Sequence, residues 1–322
     1  NIFLKSTIIF AVAASFFIGY FFRENSVGGG PEFYDLSWPI IQSFKNDFLF
    51  TIKNYGTFGD ATIPFSHILN AYINPFSNTE TSLQLSITII SFCIFLIFSK
   101  ILKRFFSELN YIDIYLISSV FLLLPFFRTS AFWGKNENFG WLFLIIALYF
   151  FFEIKKNIYS VPSKKGIFNI VLFCFTSACA LYARQALVFL PISYLLYLFV
   201  YKANIKIIKI SIISFIIFAI PGLLLIITWG DIYDTKNLAP GTFIGLWNHP
   251  KYIIKSLIII LSFIGFYLLP ILFIEFYNLK VKFFFKQYYK SFLFCLIIFI
   301  LLYQINFLDY LGNYKEAGGA VL

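Results

Sequence analysis

The chain has 322 residues, of which 60% are hydrophobic and 12% are charged, and its formal net charge is +10. Soluble domains average about 45–50% apolar and about 25% charged residues, so this composition excludes a soluble globular protein. The Lys and Arg residues stand in short connectors between apolar runs. This is the pattern of cytoplasmic loops in membrane proteins, so the charge does not indicate a nucleic-acid partner.

Apolar runs of about 17–25 residues, the length that a helix needs to cross a bilayer of about 30 Å, recur along the chain, and we predict nine spans. We therefore expect an all-α polytopic membrane protein in which residues 1–322 form a single transmembrane domain. The sequence contains no methionine, and we expect it to be a fragment of a longer protein. The predicted spans are residues 6–22, 82–98, 111–127, 139–152, 167–181, 186–201, 210–228, 253–277 and 291–307.

The connectors between nine spans lie on alternating sides of the membrane, and the basic residues indicate which side is cytoplasmic. With the N-terminus inside, the inner connectors hold most of the Lys and Arg residues, whereas most acids and both histidines lie outside. We expect an integral protein of the bacterial inner membrane with its active face periplasmic, or of the endoplasmic reticulum with that face lumenal.

The long connector at residues 23–80 falls on the outer side and contains two amphipathic patterns. Apolar residues at helical spacing predict helices over residues 36–53 and 64–76, the first with Ser37 as its cap and Pro39 in its first turn. Amphipathic helices of this kind lie in the plane of the membrane surface. The alternative interpretation is a loop that only covers the bundle.

Acidic residues stand where these two helices begin. Glu32 and Asp35 precede the first helix, and Asp60 precedes the second, which contains His67. A carboxylate there suits a general base that deprotonates a hydroxyl, although Asp35 as a simple helix cap is the alternative. We assign Asp60, His67 and the outer His249 to acceptor binding or to support of the loop.

Cationic and amide side chains on other outer connectors could bind a phosphate. Arg184 and Gln185 lie in a turn too short to leave the membrane surface, where a lipid phosphate sits. Arg128 and Lys135 lie on the preceding outer connector. The alternative is that these side chains only extend to the lipid headgroups. We interpret the cysteines, which all fall in apolar runs, as core residues: Cys93, Cys174, Cys179 and Cys295.

Three short motifs in this arrangement resemble the GT-C fold of polyprenyl-phosphate-dependent glycosyltransferases. They are Pro31-Glu32-Phe33-Tyr34-Asp35, Ile63-Pro64-Phe65 and Ala183-Arg184-Gln185. The third is weakly similar to a motif of the family that adds the terminal glucose to the dolichol-linked oligosaccharide. The adjacent pair of acids usual in GT-C enzymes is absent, since Glu32 and Asp35 are separated.

The resemblance implies an inverting hexosyl or pentosyl transfer on the outer face, from a polyprenyl-phosphate-linked sugar to a hydroxyl of a glycan or lipid-linked acceptor. It implies Asp35 or Glu32 as the base, and leaves open which, with Arg184, Gln185, Arg128 and Lys135 around the phosphate. Some GT-C members need a divalent metal, so that requirement stays open, and the sequence indicates no metal site. The competing functions are a membrane transporter or lipid flippase and a non-catalytic membrane scaffold.

Overall fold

The computed structural model describes residues 2–25, 29–58, 60 and 62–229. Within these ranges the chain is helical and contains no β-strand. The eighth and ninth predicted spans, together with His249 and Cys295, lie outside the described residues. The helices are α1 (Ile2–Phe21), α2 (Gly29–Glu32), α3 (Trp38–Asn46), α4 (Phe48–Lys53), α5 (Phe65–Ile68), α6 (Glu80–Phe105), α7 (Tyr111–Ser118), α8 (Pro125–Phe132), α9 (Glu137–Lys155), α10 (Lys164–Ala183), α11 (Phe189–Val200) and α12 (Ile205–Trp229).

Five of the described helices are long and apolar enough to cross a membrane, namely α1, α6, α9, α10 and α12. They coincide with the first, second, fourth, fifth and seventh predicted spans. The sixth predicted span is a shorter apolar helix, Gln185–Val200, whose first turn is a 3₁₀ helix. Membrane character is therefore confirmed, whereas nine spans are not.

The third predicted span, residues 111–127, is not straight. A 3₁₀ turn, Ser119–Leu123, follows α7, and the chain then bends by 69° into α8. Leu124 is extended, with φ −66° and ψ 121°, because the ring of Pro125 disfavours a helical conformation in the residue before it. Pro125 in turn opens α8, where its missing N–H is not needed.

The charged side chains sort to the two ends of the bundle. Ion pairs join Arg128 to Glu24 and Arg184 to Glu137 at one end, and Lys5 to Asp113 and Arg104 to Glu153 at the other. Glu137 and Glu153 both belong to α9, which places them about 24 Å apart along its axis at a rise of 1.5 Å per residue. This separation approaches the thickness of a bilayer's hydrocarbon core, about 30 Å.

The first amphipathic helix of the loop is divided in two, contrary to the prediction of one helix over residues 36–53. Asp47 is extended, with φ −152° and ψ 107°, and its carboxylate accepts a hydrogen bond of 2.9 Å from the Phe50 N–H. This side-chain cap starts α4 and thereby ends α3. The second helix also differs, since α5 is followed by a π-turn, Leu69–Ile73, and the helix ends at Asn74 rather than at residue 76.

The predicted cap at Ser37 is wrong, because the helix begins earlier. Ser37 has helical angles and makes no capping hydrogen bond, and α2 runs into α3 through a π-turn, Phe33–Ser37. Pro39 explains the wide turn: its ring would clash with the carbonyl four residues earlier, that of Asp35. The Trp38 N–H bonds instead to the Phe33 carbonyl. Asp35 therefore sits within a π-bulge, a feature found frequently at functional sites.

Two apolar cores hold the spanning helices together. Phe16 of α1, Ile87 of α6 and Phe132 of α8 belong to the first, and Phe173 of α10 and Tyr194 of α11 to the second. Cys174 and Cys179 are buried, as expected. Cys93 is exposed, which corrects its assignment to the core: its position on α6 faces outward from the helix bundle.

Gly19 lets α1 approach the buried Arg128–Glu24 pair. A Cβ atom there would lie 2.3 Å from Arg128 Nη2 and 2.6 Å from Glu24 Oε2, so Gly19→Ala must displace the pair. We predict a loss of about 1–3 kcal/mol in unfolding free energy, the usual range for overpacking. Thermal unfolding in detergent measures this as a fall in Tm of roughly 2–10 °C.

Gly56→Ala is the matched control, because a Cβ atom at Gly56 meets nothing within 4 Å. Equal Tm values for Gly19→Ala and Gly56→Ala would contradict the tight approach at α1.

Candidate functional site

The polar end of the bundle is organised around residues 128–137, here called the hub segment. It comprises the second half of α8, a turn and the first residue of α9. Gly134 makes the turn with a positive φ of 61°, and the Lys135 N–H bonds to the Ser130 carbonyl at 3.0 Å. This is the Schellman arrangement that ends helices at glycine. The turn lets consecutive side chains of the hub segment reach different elements.

Arg128 joins α8 to the end of α1. Its guanidinium donates from Nε to both Glu24 carboxylate oxygens at 3.0 Å, and also to the backbone carbonyls of Ser15 at 2.9 Å and Leu122 at 3.2 Å. Its side chain is only 8% exposed. The Trp133 indole N–H adds a bond of 2.9 Å to the Glu24 carbonyl. The Arg128 donors are thus occupied by groups of the protein.

Lys135 forms an ion pair with Glu32, and so attaches the first acid of the loop to the hub segment. The glycines of α2 allow this approach. A Cβ atom at Gly29 would lie 2.7 Å from Thr129 Cγ2 and 2.9 Å from Trp133 Cδ1, so only glycine fits between the loop and α8. The glycine run therefore serves close packing.

Arg184 forms an ion pair with Glu137 and is the most exposed of the three paired cations at this end of the described bundle. Arg184 Nη1 lies 3.3 Å from Glu137 Oε1, and the two side chains are 32% and 24% exposed. Ser130 Oγ also donates to Glu137 at 3.3 Å. Gly140 faces the Arg184 Cβ and brings α10 close to α9. Gln185 follows Arg184 and is half-buried.

Asp60 and His67 form a buried pair within the loop. The His67 Nε2 and Asp60 Oδ2 atoms are 2.8 Å apart, with side-chain exposures of 0% and 7%. The Tyr55 hydroxyl donates to the same oxygen at 3.0 Å, and the Thr62 N–H donates to Oδ1 at 2.7 Å. Asn136 of the hub segment donates to Thr62 Oγ1 at 3.2 Å, which ties the pair to the bundle. Tyr55, Asp60, Thr62 and His67 are here called the Asp60 cluster.

The environment of Asp60 favours its ionised form. Burial alone would raise the pKa of the Asp60 carboxyl, but the hydrogen bond and charge of His67, together with the Thr62 N–H, hold that pKa below its usual range. Burial, reinforced by the Asp60 charge, raises the pKa of Tyr55 far above its usual range, so its hydroxyl remains a donor.

Asp35 stands apart from these pairs. It is exposed, and no ion pair or hydrogen bond joins its carboxylate to another residue within the described ranges. It follows Glu32 by one turn, and the neighbouring Tyr34 ring contacts Trp133 of the hub segment at a centroid distance of 5.9 Å.

The hub segment brings predicted acids and cations together in one charged layer, which contains Glu32, Lys135, Glu137 and Arg184. Glu32 is held at Lys135 and Arg184 at Glu137. The Cα atoms of these two hub residues are at most about 7.6 Å apart, since consecutive Cα atoms are 3.8 Å apart. Asp60 and His67 join them through Asn136, whereas Arg128 is turned toward Glu24.

The bundle also contains an apolar groove of about 330 Å³. It lies between α10, α11 and α12, with Phe215 and Phe218 among its lining residues, and almost all of its surface is apolar. Ile63 of the loop and Tyr182 of α10 also line it. Ile63 adjoins Thr62 of the Asp60 cluster, and Tyr182 precedes Arg184 by two positions. Two lining residues of the groove are thus close in sequence to the charged residues of this end.

The described residues offer no grouping of metal ligands. In the parts of the chain that the structure describes, no three His, Cys, Asp or Glu side chains group as metal ligands would. A divalent metal therefore stays an open expectation of the resemblance.

Sequence reasoning overlooked the partners that position the predicted residues. Glu24 and Glu137 were recognised only as outer acids, and Tyr55 was not singled out at all. Glu137 carried a usable signal, since it opens an apolar helix directly after two cationic or amide residues, Lys135 and Asn136. The Glu24–Arg128 pair is separated by 104 positions and leaves no local pattern.

Comparison with protein-family models, with curated protein sequences and with solved structures finds no significant match to this chain. The resemblance to GT-C enzymes thus depends on the motifs quoted above. The activity assigned to the site is accordingly a proposal.

Asp60→Asn should destabilise the protein in a pH-dependent manner. The folded pKa of Asp60 is depressed, so its contribution is present above its unfolded pKa of about 3.9 and is lost as the pH falls through the folded value. We predict a loss of about 1–3 kcal/mol near neutral pH, typical of a broken charged hydrogen bond. Thermal unfolding measured from neutral pH down to about pH 3 should show the difference from wild type narrowing.

Asp47→Asn is the control, because Asp47 is an exposed acid of the same loop and asparagine caps helices equally well. A loss of unfolding free energy in Asp60→Asn that stays the same at every pH would contradict an ionised Asp60 in this pair.

Proposed function

We propose that the chain is a membrane glycosyltransferase that moves a sugar from a polyprenyl-phosphate donor to a hydroxyl of the acceptor. One observation carries the proposal: the apolar groove is lined by Ile63, which follows Thr62 of the Asp60 cluster, and by Tyr182, two positions before Arg184. A polyprenyl-phosphate sugar has the same two-part chemistry, a long apolar tail joined to an anionic head. The tail would lie in the groove and the phosphate near Arg184.

Arg184 is the cation best suited to the donor phosphate. Its partner Glu137 is partly exposed and 3.3 Å away, so a phosphate can replace the carboxylate without uncovering a buried charge. The planar guanidinium presents two parallel donors to a phosphate, and Gln185 stands beside it. Lys135 is the second cation of the layer. We assign Arg128 a structural role, because Glu24 and two backbone carbonyls occupy its donors.

Asp35 is the acid best suited to act as the base. Glu32 is paired with Lys135, whereas Asp35 is exposed in the π-bulge beside it. In the proposed step Asp35 takes the proton of the acceptor hydroxyl as its oxygen bonds to the anomeric carbon. The bond from that carbon to the phosphate breaks, and the phosphate leaves with the electron pair toward Arg184. Attack opposite the leaving group inverts the anomeric centre.

The Asp60–His67 pair supports the loop that carries these groups. Both side chains are buried, and they are connected to the hub segment through Asn136, which directly follows Lys135. In this role they fix the position of Ile63 at the mouth of the groove. Stabilisation of the departing phosphate by preorganised donors is usually the largest catalytic contribution, so loop position matters for rate.

Asp35→Asn should abolish sugar transfer without unfolding the protein. Removing a general base lowers rates by about 10²–10⁴-fold, and the exposed side chain contributes little to packing. The assay reconstitutes the full chain in liposomes and follows transfer from a radiolabelled polyprenyl-phosphate sugar, with Tm as the folding check.

Asp47→Asn, in the same loop, serves as the control and should retain activity. Wild-type transfer by Asp35→Asn would rule out Asp35 as the base. Movement of the donor across the membrane without its consumption would instead support a flippase.

Filling the groove should discriminate between donors by tail length. Ala219 lines the groove, so Ala219→Trp should obstruct the tail of a long polyprenyl donor and raise its KM about tenfold or more, the effect of losing two buried CH₂ groups. A donor with a tail too short to reach the groove should be unaffected. Steady-state kinetics with both donors provides the measurement.

Val200→Trp is the matched control, because Val200 is 73% exposed on α11 and does not line the groove. Equal KM increases for the two variants, or for the two donors, would argue against the groove as the tail site.

A further inference from the structure

A second cavity lies at the opposite end of the bundle from the candidate site. It has a volume of about 270 Å³ and is formed by the end of α9, the start of α10 and the first turns of α12. Its lining includes Glu153, which α9 places about 24 Å from Glu137. None of the described residues that line it belongs to the hub segment or to the loop.

The lining divides into an apolar floor and a polar rim. Ile154, Ile170 and Ile207 form the floor and are buried. Asn157, Ser160, Ser163, Lys165 and Asn169 contribute polar groups to the rim, beside the exposed apolar Val161. The cavity thus suits a ligand with a polar head and an adjoining apolar part.

The surroundings of the cavity are strongly cationic. Glu153, the one acid among the described lining residues, is already paired with Arg104 at 3.1 Å and with Lys156 at 2.8 Å. Lys165 lines the cavity. Two other lysines adjoin lining residues in the sequence: Lys155 follows Ile154, and Lys164 precedes Lys165. Arg104 and Lys156 therefore already neutralise Glu153, and Lys165 adds a further positive charge to the lining.

The position of the cavity favours a lipid over a soluble ion. It lies at the ends of spanning helices, the level at which phospholipid headgroups meet the bilayer surface. Basic pockets between transmembrane helices bind anionic headgroups at this level. A free phosphate would gain nothing from the isoleucine floor, whereas the glycerol and first acyl carbons of a phospholipid would cover it.

We propose that this cavity binds the phosphate headgroup of an anionic phospholipid. Lys165 carries the charge recognition, Asn169 and Ser160 hydrogen-bond the phosphate and glycerol oxygens, and the isoleucine floor contacts the first apolar carbons. The site is independent of the proposed transferase activity, because its ligand binds at the other end of the bundle.

Native mass spectrometry of the purified full chain tests the site. The probes are phosphatidylglycerol and phosphatidylcholine with identical acyl chains, and the readout is the apparent Kd of the first bound lipid. We expect phosphatidylglycerol to bind about tenfold more tightly or better, an advantage that Lys165→Gln removes. Lys100→Gln, which removes an exposed charge on α6 outside the cavity, should leave the Kd unchanged.

Asn169→Trp separates the cavity from the charge, because it fills the space and leaves every cation in place. It should abolish the preference for phosphatidylglycerol over phosphatidylcholine. If Asn169→Trp does not fold, Lys165→Gln still tests the site, because Lys165 is exposed and its replacement leaves the packing unchanged. Equal weakening by Lys165→Gln and Lys100→Gln would overturn the proposal, as would unaltered binding in a folded Asn169→Trp. Displacement of phosphatidylglycerol by inorganic phosphate alone would identify a soluble anion and overturn the lipid assignment.

Discussion

The polar end of the molecule depends on the burial of one charge, that of Arg128. A buried guanidinium is unfavourable unless its donors are all satisfied, because neither lipid nor the protein core replaces its water. Glu24 and the carbonyls of Ser15 and Leu122 meet this need from two directions. They hold the end of α1 against α8, and the bend at Pro125 directs Arg128 toward them.

The fixed position of α8 determines what the following turn can reach. Gly134 reverses the chain there, so the next three side chains reach different elements. Lys135 pairs with Glu32 of the loop, Asn136 bonds to Thr62 of the Asp60 cluster, and Glu137 pairs with Arg184 at the end of α10. Three cations of the described part of this polar end, Arg128, Lys135 and Arg184, each have a carboxylate partner. Under the proposed function an arriving phosphate would displace a carboxylate, and Arg184 is the most exposed of these three cations. The apolar groove that includes Tyr182 would hold the tail in the same proposal.

Hydropathy predicted the five long apolar helices, because about 20 apolar residues admit few alternatives in a bilayer. The breaks were harder to predict. Pro125 and Asp47 both carry helix-ending chemistry, but each stands in an apolar pattern that continues past it. The acids and cations of the candidate site were found from their position in the outer connectors. Their pairing was not, since contacts such as Arg128 with Glu24 depend on how distant helices pack and leave no trace in local spacing.

The central claim is that the groove and the charged layer together hold a polyprenyl phosphate. Photolabelling of the full chain with a polyprenyl-phosphate analogue that carries its reactive group on the tail tests this most directly. The account predicts labelled peptides from the groove residues of α10 and α12, such as Tyr182 and Phe218, and loss of label in the presence of unlabelled donor. Label confined to exposed lipid-facing positions, unaffected by the donor, would contradict it.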